Sequence, residues 1–341
     1  MEKKDLRIVF MGTPEFAVET LKALVDNGYN VVAVVTQPDR PVGRHGSVLQ
    51  PSAVKTFALE HQLPVLQPEK MKDPAFLELL RSYEANLQVV VAFRMLPEVV
   101  WAMPEYGTFN VHAALLPQYR GAAPINWAII NGEKQTGVTT FFLDHDIDTG
   151  RIILQKPFDI PDDADVEYVY DGLMHLGADI CLETIEAIIA ADGHPESIPQ
   201  DNCQLSTVNS CVPAVASEQS SSGQLKPAPK IFKETCEISW QQPARSIYNF
   251  VRGLSPVPAA WTTLCDTNGK EQMLKIYKTA LSEKRMDVAP GTIVVDGRSL
   301  YIAALDGWLL QIVELQLAGK KRMAARDFLN GNKNLGSYII K

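Results

Sequence analysis

Asn110-Val111-His112 and, about forty residues on, Asp148-Thr149-Gly150 place an amide, an imidazole and a carboxylate in segments that read as strand ends and loops, where catalytic groups are usually mounted. Side chains two apart on a strand share a face, so Asn110 and His112 are expected to point the same way from the rim of an otherwise apolar run. Asp148 is a candidate partner for the ring. An amide and an imidazole aimed at one spot, with a carboxylate behind, suit stabilisation of a developing oxyanion with proton transfer, the chemistry of attack on a carbonyl. The sequence has no G-x-S-x-G elbow, and no cysteine lies beside this trio, which favours direct transfer to an external nucleophile over a covalent enzyme intermediate.

The elements that must position these groups alternate. Leu6 to Met11 is a short apolar run ending at Gly12-Thr13-Pro14; Phe16, Ala17, Leu21, Leu24 and Val25 then recur at helical spacing, with Thr13 as a candidate N-cap and Gly28 as the C-terminal stop. Asn30 to Val35 reads as a buried strand, completing a β-α-β unit. A helix over Ala75 to Ser82, strands over Leu87 to Ala92, Thr108 to Val111 and Val138 to Leu143, and a long periodic segment from Val166 to Ala191 follow. The expected fold is an α/β, Rossmann-like, mostly parallel sheet over residues 1–205, with ligands beyond the carboxyl ends of the strands, where Gly12, Phe93 and His112 fall. Residues 206–225 turn polar and aperiodic, as in Ser217-Glu218-Gln219-Ser220-Ser221-Ser222-Gly223, and read as a linker. Over 226–341, short runs (Cys236 to Trp240, Ala259 to Leu264, Leu274 to Leu281, Thr292 to Val295, Leu300 to Ala303, Trp308 to Leu317) are separated in places by Asp296-Gly297 and Asp306-Gly307. They predict a small OB-like antiparallel barrel, with helices over Ala244 to Gly253 and Ala324 to Leu329 at its flanks.

Composition narrows the classes. The 341 residues are 46% hydrophobic and 21% charged, an ordinary globular balance with two domains as the prior. No apolar run is long enough to span a bilayer, and the start lacks a signal-peptide core, so a cytoplasmic protein with no membrane partner is expected. Five scattered cysteines without C-x-x-C suggest neither disulfides nor zinc. The first strand-to-helix turn keeps only one glycine of a dinucleotide fingerprint, and Glu15 would repel a pyrophosphate there. Asp144, Asp146 and Asp148 alternate like calcium ligands, but Thr149 and Gln155 stand where an EF-hand needs glycine and glutamate, so no metal is expected. The net charge of −8 is uneven: residues 1–225 carry 15 Lys and Arg against 30 Asp and Glu, and residues 226–341 carry 17 against 10. A basic second domain points to a polyanionic partner.

The run Asn110-Val111-His112-Ala113-Ala114-Leu115-Leu116-Pro117-Gln118-Tyr119-Arg120-Gly121-Ala122-Ala123-Pro124, with Ile147-Asp148-Thr149-Gly150 downstream, resembles the signature of the folate-dependent formyltransferases. Thr36 to Arg44, Pro227 to Thr235 and Ile247 to Pro256 are similar to the branch of that family that acts on methionyl-tRNA, and the likeness covers nearly the whole chain. It implies transfer of a formyl group from 10-formyltetrahydrofolate to the amine of methionine on initiator tRNA. By that resemblance Asn110 and His112 hold the tetrahedral oxyanion, while Asp148 orients or charges His112 and helps move the amine's proton. Ala114, Leu115, Leu116 and Pro117 match the folate-contacting loop, and Arg94, Met95, Leu96 and the stretch to Asp148, Asp146 included, match the pterin pocket. Arg40 and Arg44 match a loop that meets the acceptor stem. Lys230, Lys233, Lys320, Lys321 and Arg322 are candidate phosphate contacts.

Two departures stand out. Ala114 occupies a position that is usually serine, and His45-Gly46-Ser47-Val48-Leu49 lacks the lysines usual after Arg44. Two rival readings keep the first domain unchanged: the same chemistry on a small amine such as an amino-sugar nucleotide, and a non-catalytic RNA-binding relative. The site needs one chain only, so a monomer is expected.

Overall fold

Apolar runs too continuous to leave a face in water build the first sheet. The computed structural model describes residues 1–42, 48–200, 225–332 and 334–340. From its start the chain runs through Ile8–Gly12 (β1), Glu15–Asp26 (α1), Val31–Val35 (β2), Arg40–Val42 (β3), Val48–Gln50 (β4), Ala53–Glu60 (α2), Val65–Leu66 (β5), Pro74–Ser82 (α3), Leu87–Val91 (β6), Glu98–Trp101 (α4) and Thr108–His112 (β7). Pro124–Ile130 (α5), Gln135–Phe142 (β8), Ile152–Asp159 (β9) and Val166–Ala190 (α6) follow. The sheet order is β5-β2-β1-β6-β7-β8-β9. Pairings from β5 through β7 are parallel and β7 to β8 is antiparallel. Every residue of β1 and β6 is buried, as expected of parallel strands covered on both faces.

Gly12 ends β1 because a side chain does not fit there. A Cβ would lie 2.7 Å from the Ala17 Cβ and 3.1 Å from the Val91 carbonyl, so its absence lets α1 start hard against the strand. The expected Thr13 N-cap is corrected: Pro14 is the N-cap residue, and the buried Thr13 hydroxyl has no hydrogen-bond partner among the described residues. Gly28 has φ +68°, and the N–H groups of Gly28 and Tyr29 donate to the Val25 and Leu24 carbonyls, closing α1 as the sequence predicts. Periodicity did not single out α2, α5, β5 or β9, which are short or carry mixed burial.

The second sheet is antiparallel. Ala244–Arg252 (α7), Ala260–Cys265 (β10), Glu271–Ala280 (β11), Ile293–Asp296 (β12), Ser299–Ala303 (β13), Leu309–Leu317 (β14), Met323–Ala324 (β15), Ala325–Gly331 (α8) and Ile339–Ile340 (β16) give the order β12-β13-β14-β11-β10-β16, with β15 on β14. Burial along β10 and β11 is mixed, and one shared core gathers Ile247, Leu274, Ile276, Ile302, Leu310 and Leu315. The turns at Gly297 and Gly307 have positive φ, as the two Asp-Gly pairs require. Cys236 to Trp240 is not the expected strand: Glu234–Cys236 is a short 3-10 turn, and Glu237 makes an isolated bridge to Trp261. Much of the expected linker, with residues 201–224, lies outside the described residues.

The compact units do not follow a linear cut. Ala122–Gln135 and Asp159–Val169 group with Ala228–Lys341, while Met1–Gly121, Thr136–Phe158 and Tyr170–Pro227 form the other unit. Recruiting the acidic stretch 159–169 changes the electrostatics: the second unit holds 17 Lys and Arg against 16 Asp and Glu, so the basic excess of the C-terminal sequence is offset within its own fold. Arg245 takes both Asp162 carboxylate oxygens at 2.7 and 2.8 Å. Arg252, 7% exposed, donates to the Asn249 Oδ1 at 2.9 Å and to the Ala164 carbonyl at 2.9 Å.

Burial also settles two of the thiols. It pushes the Cys181 and Cys236 thiols up from their ordinary value. No helix among the described residues is long and apolar enough to cross a membrane.

The buried Arg252 generates a stability prediction. Arg252→Ala leaves an amide oxygen and a carbonyl without their donor, at roughly 1–3 kcal/mol, and Arg252→Lys fails to restore it because an ammonium cannot reproduce the planar fork. Urea unfolding at equilibrium checks this; a midpoint equal to that of the parent chain would contradict it.

Candidate active site

The β7–β8 ladder sets the site. Its register pairs Asn110 with Phe141 and His112 with Thr139. Asn110 and His112 therefore share one face at the carboxyl end of β7. His112 is 6% exposed and lies edge-on to Phe141, with ring centroids 6.4 Å apart. Asn110 is half-buried, and its side chain has no hydrogen-bond partner among the described residues.

The backbone decides how the imidazole is used. Its Nε2 lies 2.9 Å from the carbonyl oxygen of Tyr119. A carbonyl only accepts, so Nε2 carries a proton and Nδ1 faces the other way. On that side stands Asp148, with Oδ2 3.9 Å from Nδ1. That separation is an electrostatic pairing, too long for a hydrogen bond. The same Oδ2 accepts the Gly121 N–H at 2.9 Å, which fixes the carboxylate while leaving its second oxygen without a described donor.

Both supporting loops are held in an unusual conformation. Among the described residues, seven non-glycines have positive φ, and two of them are Tyr119 (+61°) and Asp148 (+57°). Left-handed backbone is unfavourable for such side chains and persists where neighbours over-determine it. The Tyr119 N–H donates to the Lys226 carbonyl at 2.7 Å, and the Lys226 N–H donates to the Gln118 Oε1 at 2.8 Å. The Asp148 turn is gripped by Gln200, 4% exposed, whose Nε2 donates to the carbonyls of Asp148 (2.9 Å) and Gly150 (2.8 Å). Arg120 in turn donates to the Gln200 Oε1 at 2.9 and 2.6 Å. Gly150 closes the turn against β8, since a Cβ there would fall 1.7 Å from the Phe142 carbonyl.

The loop from Ala114 to Pro117 is pinned by the residue opposite His112. The Thr139 hydroxyl donates to the Ala114 carbonyl at 2.6 Å and accepts the Leu116 N–H at 3.1 Å, while Gln155 donates both to it and to the Leu116 carbonyl. Ala114 and Leu116 are fully buried, leaving Leu115 and Pro117 half-buried. The Ala114 side chain is buried and its carbonyl is already engaged by Thr139.

Arg94, Met95 and Leu96 follow β6 and differ in exposure. Met95 is 68% exposed, whereas Leu96 is a core residue with Val9, Met11 and Val90. Arg94 donates to the Glu69 carbonyl at 3.0 Å and to the Pro68 carbonyl, and its buried Nε has no partner among the described residues. Leu143 packs against both the Leu96 cluster and the Leu116 cluster, tying the two expected pocket walls together. Asp146 is exposed, with its carbonyl accepting the Thr149 hydroxyl.

Of the expected RNA contacts, Arg40 is exposed on β3, where it donates to the Gln37 side chain at 2.6 Å. Arg44 lies outside the described residues. In the second unit Lys230 and Lys233 are exposed, the former with Nζ 5.5 Å from the Phe232 ring. Lys320 and Lys321 are exposed as well, but Arg322 is engaged by Glu314 and stacked over Tyr277. Sequence reasoning missed Thr139, Gln200 and Lys226. Gln118, Tyr119 and Gly121 stood inside the motif it quoted, but their backbone and amide roles carry no residue-type signal.

Comparison with known proteins identifies the family. A family model described as formyl transferase matches residues 6–185, and one described as the formyl transferase C-terminal domain matches residues 230–333. A methionyl-tRNA formyltransferase of Parabacteroides distasonis is 56% identical over 340 residues, covering 100% of both chains. That of Bacteroides fragilis is 53% identical over 97% of this chain and 96% of its own. Among solved structures, HypX from Aquifex aeolicus in complex with tetrahydrofolic acid aligns at TM-score 0.59 and 17% identity, over 96% of this chain and 48% of that one. WlaRD, a sugar 3N-formyl transferase, aligns at TM-score 0.59 and 18% identity over 93% and 99%; at such identities these two speak for the fold. Two matched domains and more than half of all residues shared with a full-length relative place this chain in the methionyl-tRNA formyltransferase family.

Proposed function

We propose that the chain transfers the formyl group of 10-formyltetrahydrofolate to the α-amino group of methionine on initiator methionyl-tRNA. The observation that carries this reading is the arrangement of Asn110, His112 and Asp148, with the Tyr119 carbonyl on Nε2 turning Nδ1 toward the carboxylate side, in a chain of this family.

In the proposed reaction the methionine amine attacks the formyl carbon and the carbonyl electrons move onto oxygen. The Asn110 amide and an Nδ1–H of His112 donate to that oxyanion, and the Asp148 carboxylate 3.9 Å away is the counter-charge for the ring. The amine's proton leaves toward Asp148 through water. As the tetrahedral centre collapses, the bond from carbon to N10 of the folate breaks and N10 takes a proton, leaving tetrahydrofolate and formyl-methionyl-tRNA. No metal is needed for this balance. Leu115 and Pro117, with Arg94, Met95 and Asp146, are the proposed folate contacts; Ala114, Leu116 and Leu96, whose side chains are buried, contribute through their backbone.

Arg40, Arg44, Lys230 and Lys233 are the proposed RNA contacts. Because the second unit is close to neutral as a whole, this part rests on local exposed cations and not on net charge. A small amine as acceptor would leave the chemistry intact but need none of these cations.

Two outcomes are expected. Asn110→Ala lowers kcat by roughly 10²–10³ with the fold retained, the usual cost of one lost oxyanion donor; near-parental turnover in a single-turnover formylation assay would remove Asn110 from the site. Raising salt from about 50 to about 200 mM raises KM for methionyl-tRNA more than about tenfold, while KM for the folate stays within about twofold. Salt-insensitive KM for the acceptor would point to a small amine.

A further inference from the structure

The site described above is held from an unexpected part of the chain. His112 and Asp148 are each fixed through a loop with one left-handed residue, and each loop is tied to a segment more than fifty residues further along. Gln200 donates to the carbonyls of Asp148 and Gly150. Lys226 accepts the Tyr119 N–H with its carbonyl and gives its own N–H to Gln118. Gln200 is the last described residue before the stretch 201–224, and Lys226 is the second described residue after it. All of the groups concerned belong to the first unit.

We propose that Gln118 and Gln200 are positioning residues of the transfer reaction: through the backbone of the chain on either side of residues 201–224, they set the Tyr119 carbonyl against His112 Nε2 and the Asp148 carboxylate against His112 Nδ1. The proposal deepens the formyl-transfer reading and rests on it. Its physical basis is that neither left-handed residue is self-sustaining. The Tyr119 carbonyl points at the ring only while Tyr119 keeps φ +61°, and the bond of its N–H to Lys226 holds that conformation. Lys226 is in turn held by the Gln118 amide oxygen. The Asp148 turn leaves two carbonyls to be satisfied at a site 4% exposed, and one side-chain amide serves both. Loss of either anchor lets a catalytic group drift, and misplacement by about 1 Å is enough to cost about a hundredfold in rate.

The two glutamines use opposite ends of their amides, which makes the idea testable with one isosteric change. Gln118 acts as acceptor, so Gln118→Glu keeps the contact. Gln200 acts as donor to the two carbonyls, so Gln200→Glu destroys it while still accepting from Arg120. With purified full-length protein, 10-formyltetrahydrofolate and methionyl-tRNA, kcat and KM for both substrates are measured beside the melting temperature. Gln118→Glu is expected within about twofold of the parent and Gln118→Ala about tenfold down in kcat; Gln200→Glu is expected about tenfold to a hundredfold down, with both KM values within about threefold. Parental kcat in Gln118→Ala or in Gln200→Glu overturns the proposal, as does equal loss in Gln118→Glu and Gln118→Ala. Should Gln200→Glu fail to fold, the Gln118 pair decides alone. Failure of the underlying reading looks different: the parent chain itself then formylates no methionyl-tRNA.

Discussion

The hydrogen bond from His112 Nε2 to the Tyr119 carbonyl is the constraint on which the remainder of the site depends. It selects the nitrogen that bears a fixed proton, and so leaves Nδ1 as the atom beside Asp148. A carbonyl can be delivered to that spot only if the chain reverses within a few residues of β7, which is why Tyr119 adopts a conformation that non-glycine residues seldom take. The cost of that backbone is offset by neighbours that satisfy every exposed end: Lys226 at the N–H, and the ring at the carbonyl. In a buried site such polar groups are worth most when all are paired.

The sheet supplies what the loops cannot. Parallel pairing of β1, β2 and β6, buried throughout on β1 and β6, makes a platform whose carboxyl ends sit at one edge. The antiparallel return of β8 then places Thr139 opposite His112, and its one hydroxyl ties down both Ala114 and Leu116. The chemistry proposed for the loop after β7 therefore depends on the register of a strand that contributes no catalytic group. In the second unit the same logic appears as charge compensation. The arginines of α7 are engaged by the stretch Asp159–Val169, so a sequence that reads as strongly basic folds into a nearly neutral body with exposed lysines at particular points.

Much of this was legible in the sequence where a residue type carries its own meaning. The β1–α1–β2 unit, the long α6 and the β12–β13 and β13–β14 turns at Asp-Gly pairs follow from periodicity and turn chemistry. Asn110, His112 and Asp148 stood out because an amide, an imidazole and a carboxylate in apolar surroundings need a reason. Gln200, Thr139 and Lys226 did not, since each acts through long-range hydrogen bonds to backbone atoms, and nothing local marks the partner. The strand expected over Cys236 to Trp240 failed for the converse reason: its alternation is real, with Cys236, Ile238 and Trp240 buried, but only one bridge forms along it. Thr13 had the type of a cap, yet the N-cap falls one residue later, on Pro14, and the helix begins at Glu15.

The proposed chemistry needs one small volume bounded by the Asn110 amide, His112 Nδ1 and Asp148, with the formyl group inside it. A crystal structure of the full chain with 10-formyl-5,8-dideazafolate, a stable analogue that carries its formyl group on N10 as the donor does, tests this most directly. The formyl oxygen is expected within about 3 Å of both the Asn110 Nδ2 and the His112 Nδ1, with Nε2 still on the Tyr119 carbonyl. A formyl group facing away from these atoms, or a ring flipped to present Nε2, would contradict it.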